Sequence, residues 1–178
     1  MQSNEGDSVS AALRRRIREA IAAEGGRIGF DRFMALALYA PGLGYYSRDA
    51  RQFGVLPASG SDFVTAPELS PLFGRALARQ VAQALDAANS AEVWEFGAGS
   101  GALAAQLLEA LGERVSRYTI VDLSGTLRER QRERLAAFAG KVRWVDALPD
   151  AITGVIVGNE VLDAMPVQLL HFDGAQWF

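Results

Sequence analysis

The chain has 178 residues, of which 49% are apolar and 22% are charged, and its formal net charge is −3. This composition is typical of a globular domain and excludes a disordered or collagen-like chain, while the absence of cysteine excludes disulfides and thiolate metal sites. Acidic and basic residues are mixed in both halves, so we expect no nucleic-acid partner, and no apolar run is long enough to predict membrane insertion.

The N-terminal part of the chain predicts two helices. Apolar residues recur every four positions over residues 13–21, which predicts an amphipathic helix that the glycine pair 25–26 ends. A second, shorter helix is predicted over residues 30–39. Acidic residues in the first helix argue against an organelle-targeting segment, and a secretory signal is missing, so we expect a cytoplasmic protein.

A long loop and a third helix follow. Residues 42–67 are rich in glycine, proline, serine and aromatic residues and lack periodicity, which predicts an ordered loop region that serves a site. Ser70 and Pro71 are a favourable N-cap and first residue for a helix that extends to about residue 88. We therefore predict that residues 1–89 form an N-terminal extension of helices and loops.

From residue 90 onward, short apolar strands alternate with helices. We predict strands at 93–96, 118–121, 142–145 and 154–157, and helices at 102–111 and 127–138. This alternation indicates a parallel sheet with right-handed crossovers and helices on both faces. Residues 90–178 are therefore predicted to form an α/β, Rossmann-like domain.

A glycine turn follows the first predicted strand, in the sequence Glu95-Phe96-Gly97-Ala98-Gly99-Ser100-Gly101. Gly97 permits the sharp turn, Gly99 lets a ligand approach the backbone, and Gly101 opens the next helix, whose free N–H groups favour an anionic group. Asp122 ends the second strand, where a carboxylate can accept both hydroxyls of a ribose. Together these features predict an adenosine-containing cofactor.

The identity of that cofactor rests on the acids near the turn. The glycines also fit the G-x-G-x-x-G/A pattern of dinucleotide binders, so an oxidoreductase that uses a nicotinamide cofactor is one alternative. However, Glu95 would repel a pyrophosphate and would instead face an amine. Asp146 and Ala147 follow the third strand, where they can contact the amino group and ring edge of an adenine. Acids after three strands favour a cationic, phosphate-free cofactor, S-adenosyl-L-methionine.

At this point the sequence resembles known families. The predicted cofactor-binding set resembles the successive motifs of class I S-adenosylmethionine-dependent methyltransferases, through Glu95, Gly97, Ala98, Gly99, Gly101, Asp122, Leu123, Asp146 and Ala147. Three longer blocks, residues 37–46, 62–74 and 159–167, are similar to the MidA family. That family includes the mitochondrial arginine methyltransferase that assists assembly of respiratory complex I. The resemblance implies methyl transfer to a protein substrate, with arginine as the methyl acceptor.

The same resemblance implies residues that contact the substrate. Asn159, Glu160 and Asp163 follow the fourth strand, and two carboxylates three positions apart can hold a guanidinium through charge-assisted hydrogen bonds. The alternative is that these residues only cap the following helix.

Thr65, Pro67 and Glu68 are expected near the methionine end of the cofactor. The alternative is that they form an ordinary helix start.

The resemblance covers the N-terminal portion of the family's pattern. A class I sheet has seven strands, whereas this sequence predicts four, with a fifth beginning near residue 169. An open sheet edge at the fourth or fifth strand is prone to pair with another chain, which predicts a homo-oligomer. A non-catalytic assembly factor that keeps the fold is the third functional alternative.

Overall fold

A computed structural model describes residues 3–47, 64–122 and 125–177 of the chain. They belong to two compact units, a helical unit of residues 1–49 with 162–178 and a sheet unit of residues 50–161. The domain boundary predicted between residues 89 and 90 stays a prediction. Within the described part of the chain, no helix combines the length and apolar character needed to cross a membrane.

Two helices make up most of the helical unit. Helix α1 (Ser3–Ala23) contacts helix α2 (Phe30–Tyr39), which occupies the predicted range. The glycine pair 25–26 follows α1 with φ angles of 78° and 96°, a left-handed conformation that ends the helix where the sequence predicts. At the end of α2, the Tyr39 hydroxyl donates a 2.6 Å hydrogen bond to the Ala164 carbonyl.

The C-terminal segment of the helical unit is mostly irregular. It begins with a 3₁₀ turn (Leu162–Ala164) and contains one isolated antiparallel bridge, between Phe172 and Trp177. The fifth strand predicted from residue 169 is therefore not formed within the described residues of this unit. A strand exists only as part of a hydrogen-bonded ladder, and the bridge supplies a single pair.

The sheet unit contains four parallel strands, in the order β3-β2-β1-β4. Its elements are α3 (Ala66–Leu69), α4 (Pro71–Ala87), β1 (Glu92–Phe96), α5 (Ala102–Leu111), β2 (Arg117–Val121), α6 (Gly125–Arg134), β3 (Val142–Val145) and β4 (Val155–Gly158). The predicted α/β class is confirmed. Because β1 lies between β2 and β4, the strand order reverses at β1, and ligands of such sheets bind beyond the carboxyl ends of the strands at this point.

One face of the sheet forms the hydrophobic core of the sheet unit. Val93, Tyr118 and Ile120 are fully buried there, together with apolar residues of α4 and α5. Residue Glu95 shares this face because side chains alternate along a strand, and it is only 2% exposed. A carboxyl group thus lies inside an apolar layer.

The other face has a row of mixed polar and apolar side chains across the strands. Arg143, Thr119, Trp94 and Ile156 occupy paired positions on the four neighbouring strands. The Arg143 side chain donates a 2.7 Å hydrogen bond to the Thr119 hydroxyl, and its guanidinium lies 5.2 Å from the centre of the Trp94 ring. Ile156, at the end of this row, is 56% exposed.

Helices α4 and α5 are joined by one glutamine. The Gln106 Oε1 accepts a 3.0 Å hydrogen bond from the Gly74 N–H, and its Nε2 donates a 2.7 Å bond to the Pro67 carbonyl. A Cβ atom on Gly74 would overlap this glutamine side chain. The absence of a side chain at Gly74 therefore lets Gln106 hold the start of α4 and the short helix α3 against α5.

Candidate cofactor-binding site

The glycine turn has the conformation that its sequence predicts. Gly97, Gly99 and Gly101 have φ angles of 62°, 54° and 83°, in the left-handed region that residues with a Cβ avoid. A Cβ on Gly97 would lie 2.7 Å from Val161 Cγ2, so this position also lacks space. The N-cap of α5 is Gly101, which provides no side-chain hydrogen bond to the start of the helix. The first turn of α5 thus keeps N–H donors that suit an anionic ligand group.

Gln131 connects the glycine turn to Asp122. This glutamine is fully buried, and its Nε2 donates to the Gly99 carbonyl at 2.9 Å and to Asp122 Oδ2 at 2.8 Å. Its Oε1 accepts a 2.8 Å hydrogen bond from Trp144 Nε1. Asp122 is half-buried, and its backbone carbonyl accepts from Arg128 Nε at 2.8 Å. One buried side chain therefore brings together two of the predicted cofactor-binding positions.

Glu68 lies beside the same turn. It accepts hydrogen bonds from the Ser100 hydroxyl and from Arg134 Nη1, the latter at 3.0 Å. Arg134 Nη1 is also 2.7 Å from the Ser100 hydroxyl oxygen, and the Glu68 side chain is only 10% exposed. This partly buried triad attaches α3 and the end of α6 to the glycine turn, so Glu68 supports the turn whether or not it contacts the cofactor.

Glu95 is buried rather than open to the turn. Its Oε2 accepts a 2.7 Å hydrogen bond from the hydroxyl of Tyr118, which is itself fully buried. Burial raises the pKa of Glu95 to about 7; the Tyr118 hydrogen bond lowers it and the charge of Asp122 raises it. Burial and the adjacent Glu95 also raise the pKa of Tyr118 well above its ordinary value. The predicted contact of Glu95 with a cofactor amine stays a prediction.

The register of the sheet places the other predicted residues at the same edge. Val121 pairs with Val145, so Asp122 and Asp146 follow neighbouring strand ends, and the Asp122 N–H donates to the Val145 carbonyl at 3.2 Å. Asp146 and Ala147 are exposed. This arrangement leaves both residues accessible to a ligand at the carboxyl ends of β2 and β3.

The residues predicted to contact the substrate follow β4. Phe96 of β1 pairs with Gly158, which places Asn159 beside the glycine turn at the adjacent strand end. Glu160 is exposed and has a φ of 55°, an unusual left-handed conformation for a residue with a Cβ and one that is frequent at functional sites. Asp163 is exposed and belongs to the helical unit.

Three predicted cofactor-binding residues remain: Leu123, Thr65 and Pro67. Leu123 lies outside the described residues. Thr65 occupies the N-cap position of α3 without a side-chain capping bond, and Pro67 is buried as the second residue of that helix. Within the described part of the chain, no three histidine or acidic side chains converge to form a group that would hold a metal ion.

The sequence did not identify Gln131, Tyr118 or Arg134 as parts of this site. A charged run such as residues 128–134 is typical of a solvated helix face, but Gln131 is buried and Arg134 is bound to Glu68. One signal was available, because Gln131 is the single uncharged residue between Arg128 and Arg134.

Two curated proteins are similar to this chain over most of its length. The "Protein arginine methyltransferase NDUFAF7 homolog, mitochondrial" of Caenorhabditis elegans is 29% identical over an alignment 179 positions long, and the match covers 85% of this chain and 42% of that protein. The "Protein arginine methyltransferase NDUFAF7, mitochondrial" of Danio rerio is 25% identical over an alignment 191 positions long, and the match covers 90% of this chain and 44% of that protein. The chain thus spans a little under half the length of these relatives.

Solved structures and a family pattern extend the comparison. A Burkholderia thailandensis crystal structure bound to S-adenosyl-homocysteine matches with a TM-score of 0.88 and 54% identity, over 99% of this chain and 48% of that one. A native structure from the same organism matches with a TM-score of 0.79 and 52% identity, over 99% of this chain and 46% of that one. Residues 76–178 match the family described as "Putative S-adenosyl-L-methionine-dependent methyltransferase". The chain therefore belongs to this methyltransferase family, within which it is a MidA-like protein.

Proposed function

We propose that this chain forms the S-adenosyl-L-methionine-binding part of a protein methyltransferase whose acceptor is an arginine side chain. The observation that carries the proposal is the hydrogen-bonded unit in which Gln131 joins the left-handed Gly99 to the Asp122 carboxylate. It holds a turn open to a ligand and a ribose acceptor in one fixed arrangement, at the reversal point of a parallel sheet.

The donors and acceptors of the site fit this cofactor. The uncapped start of α5 suits the carboxylate of the methionine portion, and Asp122 suits the ribose hydroxyls. Asp146 and Ala147 are exposed at the next strand end, where they suit the adenine amino group and ring edge. When bound, S-adenosyl-L-methionine supplies a methyl group activated by a positively charged sulfur. The surrounding acids favour this charge, whereas they would repel a pyrophosphate.

The acceptor side of the site rests on the residues after β4. Asn159 and Glu160 follow the strand that adjoins β1, and the strained backbone of Glu160 presents an exposed carboxylate there. A carboxylate can orient a guanidinium through charge-assisted hydrogen bonds and can disperse the charge that moves onto the acceptor. Asp163 belongs to the helical unit, and its role as a second carboxylate stays a prediction from the sequence. Because methyl transfer is a displacement with little covalent work for the protein, alignment of the acceptor and exclusion of water carry the rate.

The choice of arginine is supported by the two curated relatives, both of which are named protein arginine methyltransferases. The resemblance to the MidA family adds a link to respiratory complex I assembly, which we keep as part of the proposal. A cytoplasmic location and pairing of two copies through the open sheet edge also remain predictions.

Calorimetry on the full chain tests cofactor binding. We expect S-adenosyl-L-methionine and S-adenosyl-L-homocysteine to bind and NADH to give no heat of binding. Asp122→Asn should weaken both affinities by about tenfold or more, since it removes a charged acceptor. Asp150→Asn, a change at an exposed acid in the same unit, is the matched control and should bind as wild type. Binding of NADH in preference to the sulfur ligands would overturn the proposal.

Transfer to protein requires a separate test. The wild-type chain is incubated with a cell lysate and with S-adenosyl-L-methionine labelled in the methyl group. Acid hydrolysis of the lysate proteins should then give labelled dimethyl- or monomethylarginine. Glu160→Gln should reduce this signal at least tenfold with unchanged cofactor affinity, while the exposed control Glu109→Gln should not reduce it. Label recovered in residues other than arginine would reject arginine as the methyl acceptor. Cofactor binding without any transfer would favour the non-catalytic assembly factor.

A further inference from the structure

The Gln131 amide has one orientation that its surroundings allow. Trp144 Nε1–H is a donor without acceptor capacity, so the atom of Gln131 that faces it must be the oxygen. The nitrogen then faces two acceptors, the Gly99 carbonyl and Asp122 Oδ2, at 2.9 and 2.8 Å. All three contacts are complementary, and the side chain is fully buried, so the amide cannot turn over without losing each of them.

This orientation fixes two groups that belong to different elements. The Gly99 carbonyl points toward Gln131, and because the peptide bond is trans, the N–H of Ser100 points away from it. At the same time Asp122 Oδ2 is held at the end of β2. A change in the position of Gln131 would therefore rotate the glycine-turn peptide and remove a hydrogen bond from the Asp122 carboxylate at the same time.

We infer that Gln131 is a positioning residue for the cofactor, which couples the glycine turn to the ribose-binding carboxylate of Asp122. The inference rests on the proposed function, in which Asp122 accepts the ribose hydroxyls. Gln131 does not itself contact the ligand in this account. Its effect is on the preference for a ribose over a 2′-deoxyribose, because an Asp122 carboxylate held in one position accepts a ribose hydroxyl in one geometry.

The test compares two ligands that differ in one hydroxyl. Affinities of the full chain for S-adenosyl-L-homocysteine and for its 2′-deoxy analogue are measured by calorimetry. We expect the wild type to favour the ribose ligand by about tenfold or more, since a hydrogen bond to a charged group is lost in the analogue. Gln131→Glu keeps the acceptor for Trp144 but replaces the donor nitrogen by oxygen. This variant should reduce the preference for the ribose ligand to about threefold or less, when the weaker hydrogen bond is converted from free energy to affinity.

A matched control separates positioning from general destabilisation. Gln106→Glu also replaces a donor to a backbone carbonyl, that of Pro67, while it keeps the acceptor for Gly74. It should lower the thermal stability as Gln131→Glu does, and any loss of affinity should be equal for the two ligands, so that the wild-type preference for the ribose ligand is kept. Gln131→Met, of similar size and without polar atoms, is a second variant in case the buried charge prevents folding.

The wild-type protein also gives a readout that needs no variant. The Gln131 side-chain amide resonances should shift when S-adenosyl-L-homocysteine is added and shift less with the 2′-deoxy analogue. The inference is overturned if a folded Gln131 variant keeps the wild-type preference, or if those resonances respond equally to both ligands. A wild type that binds neither ligand would instead reject the proposed function.

Discussion

The Tyr118 hydroxyl donates a 2.7 Å hydrogen bond to Glu95 Oε2 within the hydrophobic core of the sheet unit. Both side chains are buried, and they lie on the first and second strands, one residue before the end of β1 and one residue after the start of β2. A carboxyl group in such surroundings is stabilised in its neutral form because burial penalises its charge. This pair therefore makes the stability of the sheet unit depend on pH.

The first prediction concerns this pH dependence. The folded chain keeps the proton of Glu95 up to about pH 7, whereas an ordinary glutamic acid, with a pKa of 4.5, releases it earlier. Between these pH values the folded state binds more protons, so the contribution is complete below about pH 4.5 and is lost as the pH rises through 7. Glu95→Gln, which cannot titrate, should gain stability relative to wild type over this interval by on the order of 3 kcal/mol.

Urea unfolding of the wild type and the variant across this pH range measures the difference directly. The exposed Glu109→Gln is the control, and its difference from wild type should stay nearly constant with pH. A pH-independent difference for Glu95→Gln would show that Glu95 titrates alike in the folded and unfolded states.

The second prediction concerns Tyr118, which donates the hydrogen bond to Glu95. Tyr118→Phe deletes the hydroxyl that lowers the pKa of Glu95, so that pKa should rise further. The loss of the buried hydrogen bond should cost about 1–3 kcal/mol of unfolding free energy. The decline of stability with pH should then extend to more alkaline conditions than in the wild type. Urea unfolding of the single variants and of the Glu95→Gln/Tyr118→Phe double variant measures the coupling, which would be absent if the two groups acted independently.

The sequence predicted the parts of the fold that depend on local pattern. Helices α2 and α5 and strand β3 have the predicted bounds, because apolar periodicity and glycine or proline residues at their ends determine them. Helix α6 ended earlier than predicted, at Arg134, and a 3₁₀ turn (Ala136–Phe138) follows it. The apolar residues beyond Arg134 continued the helical spacing, but hydrophobic spacing alone does not distinguish the two kinds of turn.

The candidate site was predicted in its glycines and acids but not in the contacts that hold them. Gly99 and Asp122 were recognisable from strand ends and turn chemistry, whereas Gln131 joins them only once α6 is packed on the sheet. Glu95 was recognisable as an acid beside the turn, but its burial on the core face of β1 and its hydrogen bond to Tyr118 were not, and its contact with a cofactor amine stays a prediction. Side-chain direction at the end of a strand depends on which face is covered, which the local sequence does not specify.

The third prediction concerns the space beside the glycine turn. Gly97→Ala must adopt a left-handed φ and must also bring a Cβ to 2.7 Å from Val161 Cγ2. Gly101→Ala is the matched control, because its φ is also positive but its Cβ would have ordinary contacts, the nearest at 3.5 Å from Gln131. Gly101→Ala should cost about 1–2 kcal/mol, and Gly97→Ala about 1–3 kcal/mol more.

Urea unfolding measures both losses of stability, and adding Val161→Ala to Gly97→Ala should recover part of the excess. Equal losses for the two alanine variants, or no recovery in the double variant, would mean that the turn moves away from Val161 at little cost.

The last prediction concerns Gly74, where the usual effect of the substitution should reverse. Glycine to alanine in a helix normally stabilises by about 0.5–1 kcal/mol. At Gly74 the added Cβ would overlap Gln106, which accepts from the Gly74 N–H and donates to the Pro67 carbonyl. The glutamine must then move, so the first turn of α4 loses a partner for one of its N–H groups and the residues before α4 lose their attachment to α5. Gly74→Ala should therefore destabilise the chain by about 1–3 kcal/mol. Gly140→Ala, with open space around its Cβ and no positive φ, is the control and should be neutral or slightly stabilising.

Because Glu68 follows Pro67 and binds Ser100 of the glycine turn, Gly74→Ala should also weaken S-adenosyl-L-homocysteine binding in calorimetry. If Gly74→Ala were stabilised and bound S-adenosyl-L-homocysteine with the wild-type affinity, Gln106 would repack freely and would not connect α4 to the site.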